Sequence, residues 1–339
     1  MSDHSVFEAP DFALQKGGAL PVARLAYKTL GTLSPARDNV VVIPSWYSGT
    51  HKEAEFCMVG PERAITPDRY FIVLVNLLGG GVSSSPHNTP APYNAGLFPR
   101  TTLYDNIRLQ HMLLTQKFGI ERIRLVAGWS MGGCQAFQWG AQYSDMVEAI
   151  APICCSARTA NFNKVFLLSL RRALELDPAF ADSFYMRPPL LGLKAFAAIY
   201  AGWGLSEPFY RTEAFRGFGA KTYQEFVETF WEPAFIHHDA NNLLSMLKTW
   251  HDGDIGDCEP YAGDFDRALG AIKARTIIMP CEYDRYFPPV DSEYEASRIP
   301  GAKCRTIPSI WGHMTLWNPQ DAPFIDRSLR ELLGTEAEA

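Results

Sequence analysis

Ile123-Arg124-Leu125-Val126-Ala127-Gly128-Trp129-Ser130-Met131-Gly132-Gly133 is the stretch on which the reading of this chain turns. Ile123 to Ala127 reads as a short apolar strand, and Met131 to Tyr143 reads as a helix. Between them Gly128 to Gly132 form the pattern G-x-S-x-G. A strand that passes through such a turn into a helix is the setting in which a serine nucleophile is held in a strained, exposed elbow. The glycines fit because the turn is too tight for a Cβ beside the nucleophile. A serine that only caps the helix, with glycines for close packing, is the competing reading of the same residues.

On either side the pattern repeats. Val40 to Pro44 and Tyr70 to Asn76 are almost continuous apolar runs, as strands buried on both faces are, and Val147 to Cys154 is another. Between Leu103 and Phe118, Ile107, His111 or Met112, Leu114 and Phe118 fall near helical spacing, with Gly119 where a C-terminal glycine belongs. Strands alternating with helices predict stacked βαβ units and a parallel sheet. After Ser156 about a hundred residues are helical and aromatic-rich, with prolines and no convincing strand, until Thr276 to Pro280 resumes the alternation. Arg305 to Pro308 reads as a last strand and Ala322 to Leu333 as a closing helix. The expected organisation is a core of residues 1–157 and 262–339 with an inserted helical cap, 158–261.

The chain has 339 residues, 47% apolar and 20% charged, a composition that fits a soluble globular protein with a large core. Thirty-one basic against 37 acidic residues give a net charge of −6 without any basic run, which argues against a nucleic-acid partner. The seven cysteines are odd in number and lack a C-x-x-C pair, so they are expected as buried thiols in a reducing compartment. Met1 to Ser5 has neither a basic nor an apolar signal region, which makes a cytoplasmic enzyme the expectation. Pro188 to Leu205 carries only Lys194 as a charge, but its two prolines and three glycines favour a buried cap helix over a membrane span.

A serine hydroxyl needs a histidine base and a carboxylate, here expected later in the chain in the order Ser, acid, His. Of the histidines after Ser130, namely His237, His238, His251 and His313, only His313 follows a late strand, behind Gly312; the others lie on a helical pattern in the cap. The acid belongs in the loop Met279 to Pro289. Asp284 is favoured there, with Glu282 a near rival and Asp291 beyond the Pro288-Pro289 stop. The backbone N–H of Met131 is one expected oxyanion donor, and the loop Ser45 to Thr50 should supply the other. His237-His238-Asp239 lacks a second ligand pair, so no metal or cofactor is expected. Gly79 to Ser85 has no following G-K-[ST] and reads as a flexible loop near the site rather than a phosphate loop.

With those residues placed, the chain resembles the homoserine O-acetyltransferase family of α/β-hydrolases over most of its length. Tyr27 to Leu33 is similar to that family's Y-x-T-x-G-x-L strand, Asp68 to Phe71 with Val75 to Gly80 to its D-R-Y-F and V-N-x-L-G-G segments, and Gly128 to Gly133 to its G-x-S-M-G-G. Phe235 to Asn242 is similar to F-x-x-x-D-A-N, Asp284 to Pro289 to D-x-L-F-P-P, and Gly312-His313 to the base loop. The resemblance implies an α/β-hydrolase fold with a mostly parallel central sheet and an inserted helical cap. It further implies a Ser130, Asp284, His313 triad, Tyr47 and Met131 as oxyanion donors, and a homodimer formed through the cap.

Two positions depart from the family. Its base loop reads G-H-D where this chain has Gly312-His313-Met314, and its cap arginine, about ten residues before an L-S-E triplet, falls near Ala197. A pocket without those charges cannot offset the burial of a zwitterionic amino acid. Trp46, Trp129, Ala197, Tyr200 and Met314, with Phe196, Trp203 and Trp317 near them, instead suit a small uncharged alcohol portion. The expectation is a serine carboxylesterase acting on small-molecule, short-chain and notably acetate esters. The alternative is an acetyl-CoA-dependent homoserine O-acetyltransferase in which Arg187, Arg211 or Arg216 replaces the missing carboxylate partner.

Overall fold

The computed structural model describes residues 3–181, 184–185 and 187–335. Its first half runs Ser5–Ala13 (β1), Ala19–Leu30 (β2), Val40–Pro44 (β3), His51–Met58 (α1), Phe71–Val75 (β4), Leu103–Met112 (α2), Leu125–Trp129 (β5), Met131–Gln142 (α3) and Ala149–Ile153 (β6). A helical insertion follows, with Asn161–Glu175 (α4), a hairpin of Phe180–Ala181 (β7) and Phe184–Tyr185 (β8), then Leu190–Gly204 (α5), Glu207–Arg211 (α6), Tyr223–Phe226 (α7), Glu232–Phe235 (α8) and Ala240–His251 (α9). Phe265–Gly270 (α10), Arg275–Ile278 (β9), Pro289–Arg298 (α11), Lys303–Cys304 (β10) and Ala322–Leu333 (α12) complete the chain.

Eight strands form one sheet in the order β1-β2-β4-β3-β5-β6-β9-β10. From β4 to β10 the pairing is parallel, while the β1–β2 hairpin joins antiparallel to β4. Every residue of β3, β4, β5 and β6 is buried, which is why these strands read as unbroken apolar runs. β1 lies on the edge, where a proline such as Pro10 is tolerated. The α/β architecture expected from the alternation is the one observed. In such a sheet ligand sites form beyond the C-terminal ends of the parallel strands.

Local differences have physical causes. β5 runs two residues later than expected and ends directly on Ser130, and Ile123 makes only an isolated bridge to Val147. The last strand is Lys303–Cys304 rather than Arg305 to Pro308, because the ladder reaches Pro280, which has no N–H to donate; Ile307 then bridges Cys281 alone. β1 and the hairpin β7–β8 are additions to the expected strands, and β2 starts earlier than the strand implied at Tyr27 to Leu33 and ends at Leu30. His237, His238 and Asp239 lie in the turn between α8 and α9, not on a helix, because Asp239 accepts from Asn242 N as the cap of α9. Gly79 to Ser85 is no loose loop: Ser83, Ser84 and Ser85 are buried, and Ser85 Oγ accepts from Gly81 N at 2.7 Å and donates to Ser83 O.

The chain leaves the sheet and returns to it side by side. Thr159 N donates to Gly253 O at 2.8 Å and Ile255 N to Ala157 O at 3.1 Å, around an antiparallel bridge of Arg158 and Asp254. Phe166, Phe196 and Leu243 of the insertion belong to the same buried apolar cluster as Val42 and Val126 of the sheet. The segment Pro188 to Leu205 is α5 within this insertion, and no described helix is long and apolar enough to cross a membrane. All seven cysteines are free thiols; six are buried and Cys304 is partly exposed.

Candidate active site

Ser130 sits between β5 and α3 with φ 56° and ψ −130°, a conformation that a non-glycine residue adopts only under constraint. The constraint comes from both sides. Ser130 N donates to Ile153 O of β6 and Ser130 O accepts from Cys134 N of α3. A Cβ on Gly128 would lie 2.2 Å from Gly132 backbone, and one on Gly132 would lie 2.6 Å from Pro44 O, so neither position admits a side chain. The hydroxyl of Ser130 does not cap α3. It lies 2.9 Å from His313 Nε2.

His313 enters from the turn Gly312–Trp317, beyond β10, and its Nδ1 lies 2.8 Å from Asp284 Oδ2. The other carboxylate oxygen of Asp284 accepts from Tyr286 N at 2.8 Å and Phe287 N at 3.1 Å. Glu282, its rival in the sequence, is exposed. Ser130, Asp284 and His313 are each at most 4% exposed. The imidazole is enclosed by Trp129, Tyr286 and Phe287, whose ring centroids lie 4.6, 4.4 and 5.6 Å from its own. Trp129, expected to line the pocket, also donates its indole N–H to His313 O at 3.0 Å and meets Trp46 edge-on. Three segments distant in sequence thus converge on one hydrogen-bonded chain beyond the sheet.

Met131 opens α3, so its N–H has no acceptor within the helix. Tyr47 lies in the loop after β3; its ring stacks on Phe196 and Tyr200 of α5, and its hydroxyl donates to Leu243 O. That loop is held from below, since Ser45 N donates to Val75 O and Gln135 Nε2 donates to Ser45 O. Burial pushes the phenols of Tyr47, Tyr200 and Tyr286 well above their ordinary range, so this aromatic wall is uncharged. Ala197 is fully buried on α5, and Met314 is half-buried in the His313 turn. Trp203 and Trp317 stand further out, the first under Arg285 and the second beside the exposed Phe56.

Asp3, His4 and His51 bring donor atoms within 4.8 Å of one another, and His51 Nε2 lies 3.3 Å from Asp3 Oδ2. His237, His238 and Asp239 form no such group among the described residues. A groove of about 670 Å³ runs between α4, α9 and residues 86–100, lined by Lys164, Leu168, Leu244 and Lys248. It contains none of the residues expected in the substrate pocket, and the chemistry is therefore read from the Ser130 geometry. The groups around Asp284, the N–H of Tyr286 and of Phe287 on its Oδ1 and Asn163 Nδ2 on the Tyr286 carbonyl, are not among the residues the sequence points to. Asn163 leaves one trace there, as a polar residue on the face that carries Phe166, Leu167, Leu170 and Leu174.

The model of the α/β hydrolase fold family matches residues 38–319. A probable esterase of Corynebacterium glutamicum is 35% identical over 324 residues, covering 94% of this chain and 92% of its own. The ethyl acetate hydrolase of Pseudomonas veronii is 36% identical over 343 residues, covering 99% and 97%. The solved structure of the acetyl esterase MekB superposes with a TM-score of 0.96 at 35% identity, covering 98% of this chain and 97% of that one. Homoserine O-acetyltransferases are more distant, at 29% identity for that of Trichormus variabilis, which covers 89% of this chain and 86% of its own. The chain belongs to the α/β hydrolase family. Within it, this is an esterase-type member, a carboxylic ester hydrolase related to the homoserine O-acetyltransferases.

Proposed function

We propose that the chain hydrolyses short-chain esters, acetates foremost, through Ser130, His313 and Asp284 and an acyl-serine intermediate. The observation that carries this reading is the continuous hydrogen-bonded chain of 2.9 and 2.8 Å from Ser130 Oγ through His313 to Asp284. His313 Nε2 takes the hydroxyl proton as Oγ attacks the ester carbonyl, and Asp284 holds the ring and stabilises its cation. The N–H groups of Met131 and Tyr47 receive the developing oxyanion. The imidazolium then protonates the departing alcohol, and water, activated by the same base, releases the acid. The acetate preference is supported by the names of the relatives, an ethyl acetate hydrolase and an acetyl esterase.

The second reading, acetyl transfer to homoserine, is favoured by the more distant transferase relatives. It needs a buried charge for the amino-acid carboxylate. The three cap arginines that could supply one are all exposed, and Arg211 and Arg216 are already paired with Glu207 and Glu213. In the esterase reading residues 158–261 serve as a cap over the site, and the chain works in the cytoplasm without metal or cofactor. A homodimer formed through the cap is supported by the exposed Phe162, Val165, Leu190 and Leu191, and light scattering at twice the chain mass tests it. Ser130→Ala tests the core of the proposal. It should abolish both ester hydrolysis and labelling by a serine-directed phosphonate, and retained hydrolysis overturns the assignment.

A further inference from the structure

We propose that Asn163, on the first turn of α4, is a positioning residue for Asp284 and thereby makes the base depend on the seating of the cap. The inference rests on the catalytic roles proposed above. Asn163 Nδ2 donates to Tyr286 O at 2.7 Å. The carbonyl of Tyr286 and the N–H of Phe287 belong to one peptide unit, and that N–H donates to Asp284 Oδ1 at 3.1 Å. A single amide therefore relays a bond from the cap to the carboxylate. Hydrogen bonds arranged in series through one amide polarise and strengthen each other. With Tyr286 N also on Oδ1, this fixes the carboxylate plane and leaves Oδ2 to His313.

Two further observations point the same way. Asn163 is 1% exposed, and its own carbonyl oxygen is buried without a hydrogen-bond partner, a cost that an apolar residue at this place would not incur. Turning the amide round would set that oxygen against the Tyr286 carbonyl, so the donor orientation is the one the surroundings demand. Tyr286 is also gripped by its ring, 4.4 Å by centroids from Phe166 one turn along α4, while its other neighbour at 4.4 Å is the imidazole of His313. The cap helix thus holds the acid loop through a side-chain donor and a stacked ring.

The test compares Asn163→Leu, Asn163→Ala and Asn163→Asp with the unaltered chain on a short acetate ester. Loss of the donor in the Leu and Ala variants should lower kcat about tenfold, leave KM within about twofold, and slow phosphonate labelling of Ser130 by the same factor as kcat. Asn163→Asp reads the donor itself, because a buried acid donates to the Tyr286 carbonyl only while protonated. Its kcat should follow the unaltered chain at the acid end of the profile and fall as the side chain ionises, an alkaline limb that looser packing does not create. Unaltered kcat in the Leu and Ala variants, a change confined to KM, or an Asp profile parallel to that of the unaltered chain overturns the proposal. Should the apolar variants not fold, the Asp profile decides. If the unaltered chain hydrolyses no ester, or Ser130→Ala hydrolyses it equally well, the catalytic reading has failed and not the role of Asn163.

Discussion

The indole N–H of Trp129 donates to the main-chain carbonyl of His313 at 3.0 Å while the two rings stack at 4.6 Å. The residue before Ser130 thus holds His313, the proposed base, from its backbone and from its face. Trp129→Phe keeps the stacked ring and removes the donor. Such a bond is worth about 1 kcal/mol, or roughly fivefold in kcat. Steady-state kinetics should show that loss with KM nearly unchanged, and an unaltered kcat contradicts the positioning role.

Asp284 and Glu282 separate cleanly by mutation. In the proposed mechanism Asp284→Asn removes the charge that stabilises the His313 cation and favours the wrong tautomer, so kcat should fall about a thousandfold or more. Glu282→Gln, at an exposed position, should leave kcat within about twofold. The reverse ranking removes Asp284 from the mechanism.

The elbow glycines are required for packing before they are required for chemistry. A Cβ on Gly132 would lie 2.6 Å from Pro44 O, so Gly132→Ala should cost about 3 kcal/mol or more. A Cβ on Gly202, exposed inside α5, would meet nothing within 4 Å, and Gly202→Ala should stabilise by about 0.5–1 kcal/mol. Thermal melts of the two variants should move in opposite directions.

Much of this arrangement is legible in the sequence, because buried parallel strands leave unbroken apolar runs and the elbow needs its glycines. Ser130, Asp284 and His313 stand out because each follows a strand end, where a parallel sheet gathers its site. Tyr286 and Phe287 do not, since they reach Asp284 through backbone N–H groups that carry no side-chain signature, and Asn163, whose side-chain amide meets the Tyr286 carbonyl, follows no strand end. Strand β1 escapes for a related reason: it is an exposed edge strand with only two buried residues, Ala9 and Phe12, so its apolar pattern is faint. Strand ends slip by two residues where a proline or an isolated bridge, rather than apolar periodicity, sets the boundary.

Glu295 gives the fold a pH dependence. Burial pushes its carboxyl well above its ordinary 4.5, against the Ala157 N–H that Oε1 accepts at 2.7 Å. The folded state therefore keeps a proton that the unfolded chain releases near pH 4.5. The stability this contributes is full below that pH and is lost as pH rises towards the folded value. Glu295→Gln retains the acceptor and removes the ionisation. Between about pH 5 and pH 8 the melting temperature of the unaltered chain should fall relative to that of the variant. A difference that does not vary with pH contradicts this.

Whether the proposed esterase excludes an amino-acid acceptor is decided by two assays on one purified sample. One follows hydrolysis of a short acetate ester in water; the other follows acetyl transfer from acetyl-CoA to homoserine. Fast hydrolysis with negligible transfer is the predicted result, because Ala197 and Met314 offer a zwitterion no charge. Fast transfer with slow hydrolysis would contradict it, leaving the chain Ser130–His313–Asp284 in place but assigning the pocket to an amino-acid acceptor.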